Sequence, residues 1–168
     1  MVQLILILDN IRSAHNVGAI LRTCDAAGVR RVLACGITPY PGGQNDGRDP
    51  LVAGRNTRSI AKTALGAEKT VMLEHFDDSL SAIAACRAEG CTIYGLEQAR
   101  GSVDLFAAKP RFPAALVVGN EVDGIAADTL AACDAALEIP QHGSKESLNV
   151  SVATGIALYH FRFNHFTT

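Results

Sequence analysis

No apolar run in this chain approaches the ~18 residues of a membrane-spanning helix. Residues 1–8 carry neither a basic stretch nor a small-residue cleavage site, so the sequence predicts a cytoplasmic protein with no membrane partner. CxxC pairs are missing as well. The five cysteines, Cys24, Cys35, Cys86, Cys91 and Cys133, form an odd set lying mostly within apolar segments. That is the pattern of reduced, buried small hydrophobes rather than of a disulfide framework, and no metal site is expected. No histidine sits beside any of them, which disfavours a catalytic thiol. There is also no excess of one charge: 15 Lys and Arg stand against 17 Asp and Glu, which argues against a protein that coats nucleic acid indiscriminately. Two nucleotide-binding signatures fail. Residues 42–48 are glycine-rich but lack the Lys-Ser/Thr of a P-loop, and no GxGxxG follows the first predicted strand. The nucleoside triphosphatase and small-molecule dehydrogenase readings therefore lose their support.

What is present is a 168-residue chain, 48% hydrophobic, without repeats, low-complexity tracts or linkers. It is long enough to bury roughly two-thirds of its unfolded surface in one core, and residues 1–168 are expected to form a single domain. The charge is unevenly spread. Residues 1–70 carry a net +4 and residues 71–168 a net −6, which is compatible with a local basic surface for an RNA partner.

The aliphatic run at residues 4–8 predicts a strand covered on both faces. A helix is expected from about Asn16, because Val17, Ile20, Leu21 and Cys24 recur at i, i+3, i+4 and i+7 and Gly28 supplies a stop. Its other side carries Gly18, Ala19, Arg22 and Ala26, so one long guanidinium stands over a face of small residues where a backbone or a ligand can come close. Further strands are predicted at 31–35, 71–76, 92–97, 114–119 and 136–139, with helices at 80–88 and 126–133. Residues 38–57, rich in Gly, Pro and Arg, read as a long exposed loop. The closing segment is a polar Gly/Ser loop after Pro140 and a helix bearing Leu148, Val152, Ile156 and Tyr159, with Ser147 placed to cap it. Strands alternating with helices at this spacing predict an α/β fold: a mostly parallel six-stranded sheet with helices on both faces. Sites in such folds lie beyond the carboxyl ends of the strands, here residues 9–16, 96–100, 119–124 and 140–147.

Three of these strand ends carry recognisable patterns: Asn16-Val17-Gly18-Ala19-Ile20-Leu21-Arg22-Thr23; Val118-Gly119-Asn120-Glu121-Val122-Asp123-Gly124; and Ile139-Pro140 followed by Ser147-Leu148-Asn149-Val150-Ser151-Val152-Ala153. Together, in this order and spacing, they resemble the TrmH-like (SpoU) branch of the SPOUT RNA methyltransferases over nearly the whole chain. The resemblance implies a C-terminal deep trefoil knot, a homodimer packed through the first and last helices, S-adenosylmethionine held in the knot, and methyl transfer to a ribose 2′-oxygen of tRNA or rRNA. Carried over by position, it implies cofactor contacts at Leu96, Gly119, Ile139 and Leu148, and polar residues around the acceptor ribose at Asn16, Arg22, Glu121, Ser147 and Asn149. Gly119 would let the backbone approach the ligand closely.

A guanidinium is an awkward base. Arg22 is therefore expected to pin the adjacent phosphate and stabilise developing alkoxide charge, with the proton leaving through that phosphate, Glu121 or water. No separate RNA-binding domain is expected within residues 1–168, so target selection would fall to the catalytic domain, to residues 38–57 or to a helper protein. A non-catalytic, knotted RNA-binding or assembly module is the alternative.

Overall fold

The computed structural model describes residues 3–43 and 46–166, with side chains placed as far as Asn164. Gln44 and Asn45, which fall within the expected loop, lie outside the described residues.

Period-2 alternation along strands buried on both faces sets up three layers. In β1 (Leu4–Asp9), Leu4, Leu6 and Leu8 enter one core while Ile5 and Ile7 enter the other. The same division occurs in β6 (Ala114–Val118), with Ala114, Leu116 and Val118 on the first side and Ala115 and Val117 on the second. The first core is closed by α1 (Ala14–Ala27), α2 (Pro50–Ala64) and α5 (Val150–Phe166). Ile20 and Leu21 of α1, Ile60 of α2, and Leu158 and Phe161 of α5 pack there. The second core is closed by α3 (Ser79–Ala88) and α4 (Ala127–Ala131), and holds Ala82, Ile83, Cys86 and Ile125.

The other strands are β2 (Arg31–Cys35), β3 (Met72–Phe76), β4 (Thr92–Leu96), β5 (Val103–Asp104) and β7 (Ala135–Glu138). All pair in parallel, in the order β3-β2-β1-β6-β4-β7-β5. The chain runs outward from β1 to β3, then crosses to β4, and β6 later fills the gap between β1 and β4. This reversal of direction opens a crevice at the carboxyl ends of the central strands.

Two expectations are corrected. The sheet has seven strands, because the two-residue β5 adds to the edge through Val103 opposite Leu137 and Asp104 opposite Glu138; so short a strand has no periodicity to detect. Residues 38–57 are not one long loop either, because α2 starts at Pro50. Asp49 caps it by accepting the Leu51 N–H (2.7 Å), and a proline in the first turn costs no helical hydrogen bond. Its buried face is only Ala53, Ile60 and Ala64, too sparse to stand out beside the preceding glycines and prolines.

The small residues of α1 meet a backbone rather than a ligand. A Cβ at Gly18 would run into Thr63 Oγ1 and the Ile60 carbonyl oxygen, so its absence is what lets α2 lie directly on α1. Thr63 Oγ1 donates to the His15 carbonyl (2.8 Å) and locks the crossing. The cysteines are free thiols, four of them buried. Burial pushes Cys35 up to about 12 and Cys86 and Cys133 up to about 11, so they stay protonated at neutral pH and act as packing residues. Gly18→Ala is expected to lower stability by about 2 kcal/mol through overpacking of this crossing, read from urea unfolding; a variant with unchanged stability would mean that the two helices separate freely.

Candidate active site

The first polar anchor lies where β1 ends. The Asp9 carboxylate, 1% exposed, accepts from Ser79 Oγ (2.6 Å) at the start of α3, from Ala126 N–H (3.0 Å) before α4, and from Asn10 Nδ2 (2.9 Å). It ties the tip of β1 to both helices of the second layer, and its bond to the buried Ser79 hydroxyl satisfies both groups.

Beyond this anchor the segment 119–125 folds on itself. Asn120 and Gly124 exchange backbone hydrogen bonds (both 3.0 Å), Asn120 Oδ1 accepts the Val122 N–H (2.8 Å), and Asn120 Nδ2 donates to the Asn10 carbonyl (2.8 Å). Gly119 is required by this loop and also lines the cleft. A Cβ there would collide with the Gly124 carbonyl carbon and the Ile125 nitrogen. The loop is held from the other side by Glu97, whose Oε2 accepts the Ile125 N–H (2.8 Å).

The fold-back aims Glu121 at the start of α1. Its carboxylate accepts the N–H groups of Arg12 (2.9 Å) and Ser13 (3.1 Å) and the Asn16 side-chain amide (2.8 Å), where the positive end of the helix adds to the attraction. Burial would raise the carboxyl, but the donors from Arg12, Asn16, its own backbone and Ser13 outweigh that effect and hold it below the usual carboxylate value. A carboxylate so occupied is a clamp and a poor proton acceptor near neutral pH. Asn16 is not the cap of α1. Ser13 fills that role, accepting the Asn16 N–H (3.2 Å), and the Asn16 side chain is thereby freed to bridge. Its Oδ1 receives Asn149 Nδ2 (3.3 Å), so Glu121, Asn16 and Asn149 form one chain of hydrogen bonds across more than 130 residues of sequence.

Asn149 also corrects the expected capping of α5. The helix begins at Val150, and Asn149 Oδ1 accepts from the Ser151 N–H (2.8 Å) and hydroxyl (2.6 Å). Ser147 lies before the helix, exposed, and borders a cleft. That cleft is lined by all four expected cofactor positions, Leu96, Gly119, Ile139 and Leu148, together with Glu121 and Ser147. Glu97, Gln98, Glu138 and Gln141 also line it, and nothing in the sequence pattern singles them out. Their one signal is position, immediately at or after the ends of β4 and β7. Gln98 Nε2 donates to the Glu146 carbonyl (3.0 Å) and so draws the segment before α5 across the cleft mouth.

Arg22 is elsewhere. It borders a separate hollow with Ala19, Thr23, Lys62, Leu65 and Tyr159. Helical geometry requires this, since six residues on from Asn16 is about 9 Å along the axis and about 120° around it.

A model of the SpoU rRNA Methylase family matches residues 3–42 and 48–159 of this chain. The 23S rRNA (guanosine-2′-O-)-methyltransferase RlmB of Vibrio vulnificus is 35% identical over 93% of the chain, which covers 57% of that protein. The tRNA (guanosine(18)-2′-O)-methyltransferase of Aquifex aeolicus is 32% identical, covering 93% of this chain and 67% of that protein. The AdoMet-bound rRNA methyltransferase of Sinorhizobium meliloti superimposes with a TM-score of 0.77 at 28% identity, over 96% of this chain and 56% of that one. The chain thus spans little more than half the length of several proteins it matches.

The lowered Glu121 carboxyl makes a pH-dependent contribution to stability. Because the folded state favours the ionised form, the contribution is fully present above the ordinary glutamate value of about 4.3 and is lost as pH falls through the lower folded value. Glu121→Gln is therefore expected to be less stable than the native chain by a constant amount between about pH 6 and 8, with the gap closing below about pH 4. Urea unfolding across pH checks this, and a gap that widens in acid would contradict the clamp.

Proposed function

This chain belongs to the SpoU rRNA Methylase family, and from that premise we propose that it is an S-adenosylmethionine-dependent methyltransferase acting on a ribose 2′-oxygen of tRNA or rRNA. One observation carries the reading: the cleft bounded by Leu96, Gly119, Ile139 and Leu148 adjoins the Glu121–Asn16–Asn149 chain of polar groups. The cleft's chemistry fits the cofactor. Aliphatic walls at Leu96, Ile139, Leu148 and Val150 suit an adenine ring, polar groups at Gln98, Gln141 and Ser147 suit the ribose and the amino-acid tail, and the carboxylates of Glu97 and Glu138 suit a sulfonium cation. When bound, S-adenosylmethionine supplies an electrophilic methyl group.

The protein's part is alignment and charge. The cleft walls keep water from the methyl group, while Ser147 and Asn149 stand at its edge to orient the acceptor ribose. Arg22 holds the phosphate beside the acceptor and stabilises the oxygen as its proton departs to that phosphate or to water, with Glu121 fixing Asn16 throughout. Because Arg22 borders a different hollow of its own chain, it reaches the cleft from a second copy. That arrangement is supported by α5, whose outward side exposes Val152 (51%), Tyr159 (55%) and Phe163 (69%). Tyr159 adjoins Arg22, so a partner covering this apolar stripe would also cover the guanidinium. The same reading places a trefoil knot where the segment 139–149 passes the loop after β4, supported by the Gln98–Glu146 hydrogen bond. No described helix is long and apolar enough to cross a membrane, in keeping with action on RNA in the cytoplasm.

Incubation with methyl-labelled cofactor and unmodified total RNA tests the activity. Label is expected in alkali-resistant dinucleotides, since a 2′-O-methyl group blocks alkaline cleavage; label confined to alkali-sensitive nucleotides would place the methyl on a base. Arg22→Ala is expected to lower transfer at least ~1,000-fold with cofactor affinity unchanged by calorimetry. Ile139→Arg is expected to lose the cofactor. Neither variant transfers alone, and mixing them restores activity if Arg22 acts across the dimer; an inactive mixture that still forms mixed dimers rules this out.

A further inference from the structure

The outward side of α2 carries Arg55, Arg58 and Lys62, all exposed. At 3.6 residues per turn, these three and the terminal Leu51 and Leu65 fall within about 80° of the helix circumference, and Arg55 to Lys62 covers about 10 Å of its length. The helix contains no Asp or Glu. The nearest carboxylates in sequence are already engaged: Asp46 with Arg48, Asp49 with the Leu51 N–H (2.7 Å), and Glu68 with the Gly66 N–H (2.9 Å). Three arginines elsewhere are paired, Arg30 with Asp25, Arg31 with Glu74 and Glu89, and Arg87 with Asp134, while exposed Arg12, Arg100 and Arg111 stand apart from one another in sequence and form no stripe. Among the described residues, Arg55, Arg58, Lys62 and Arg22 make no such pair.

The stripe is also fixed in place. Arg48 lies over the Tyr40 ring (3.4 Å to the centroid), Tyr40 stacks on His75 (4.3 Å), and the Gly42 N–H donates to Thr57 Oγ1 (2.8 Å) on α2 itself. The glycine crossing at Gly18 then sets α2 against α1 so that Lys62 and Arg22 border the same hollow. Three unneutralised cations along one side of α2, with Arg22 of α1 bordering the same hollow as Lys62, on a chain of net charge −2, repel one another and are relieved by a polyanion.

We propose that the outward side of α2 is a track for the phosphate backbone of the RNA substrate, running from Arg55 through Arg58 and Lys62 to Arg22. The track rests on the RNA methyltransferase reading and extends it. Phosphate contacts position a strand without reading its bases, so α2 delivers the acceptor nucleotide to the seam where Arg22 lies while leaving sequence choice to other groups. The apolar ends, Leu51 (82% exposed) and Leu65 (67% exposed), offer surface on which the sugars of the passing strand can rest.

The test is the triple variant R55Q/R58Q/K62Q, which removes charge from an exposed face while keeping polar side chains of substantial length. Binding of fluorescein-labelled oligouridylate and of an unmodified tRNA transcript is measured by anisotropy from low to high salt. For single strands the slope of log K against log salt shrinks by about 0.7 for each phosphate that the protein no longer neutralises. The triple variant is expected to lower the slope by about 2, which makes binding roughly 100-fold weaker at 0.1 M salt and nearly equal to the native protein near 1 M. Cofactor affinity and the thermal melt are expected to be unchanged, and in transfer assays KM for RNA rises while kcat holds. An unchanged slope overturns the track. So does a variant that sediments as a smaller species, which would make this face an interface between copies of the chain. A native protein that transfers no methyl group but shows the slope change retains the track and loses the enzyme reading.

Discussion

A single carboxylate sets the geometry on which the rest of this site depends. Glu121 accepts two backbone N–H groups at the entrance to α1 and the amide of Asn16, so the loop after β6 cannot move without carrying the first helix with it. Through Asn16 the constraint passes to Asn149 and the start of α5. Three strand-to-helix junctions, the first and second separated by about a hundred residues, are thereby held around one cleft. The bonds to Glu121 are charge-assisted, which makes them stronger than neutral ones, and they use donors that a helix start would otherwise leave unpaired.

The loop that carries Glu121 is itself shaped by what surrounds it. Gly119 permits the chain to turn back on Gly124 and Ile125, Asn120 holds that turn closed, and Glu97 grips it from the end of β4. Asp9 anchors the residue that follows, at Ala126. Polar groups of β1, the end of β4 and the 119–125 loop thus support one another, with the two hydrophobic cores behind them. These supports hold the strand-end side of the cleft, while the segment drawn across its mouth is exposed from His142 to Leu148.

The molecule divides its work between two sides of α1. One side carries Asn16, whose amide donates to Glu121 at the cleft wall. The other meets α2 and α5 and presents Arg22 beside Lys62 and Tyr159. Under the proposed reaction, bringing the two sides into one centre would take a second copy of the chain.

Much of this was legible in the amino-acid order. Aliphatic runs marked the buried strands, 3.6-residue spacing marked α1, and Gly28 marked the end of α1, where it adopts a positive φ of 71°; in α5 the helix was foreseen but not its buried side, since Leu148 precedes it and Val152 and Tyr159 are exposed. These signals are local, since each depends on residues within a turn or two of one another. Two of the three motifs, at residues 118–124 and 139–153, also line the cleft, in keeping with the rule that sites in parallel sheets lie at the carboxyl ends of strands. Even the separation of Asn16 from Arg22 was implicit in helical geometry, although a motif written as a line of letters hides it. Tertiary structure alone decided the remainder. Gly119 packs against the backbone of Gly124 and Ile125, Asn149 rather than Ser147 caps α5, α2 forms on a nearly featureless apolar face, and a two-residue strand extends the sheet. Each of these outcomes turns on which groups from distant parts of the chain compete for the same space or the same hydrogen bond, and that competition exists only once the sheet has brought them together.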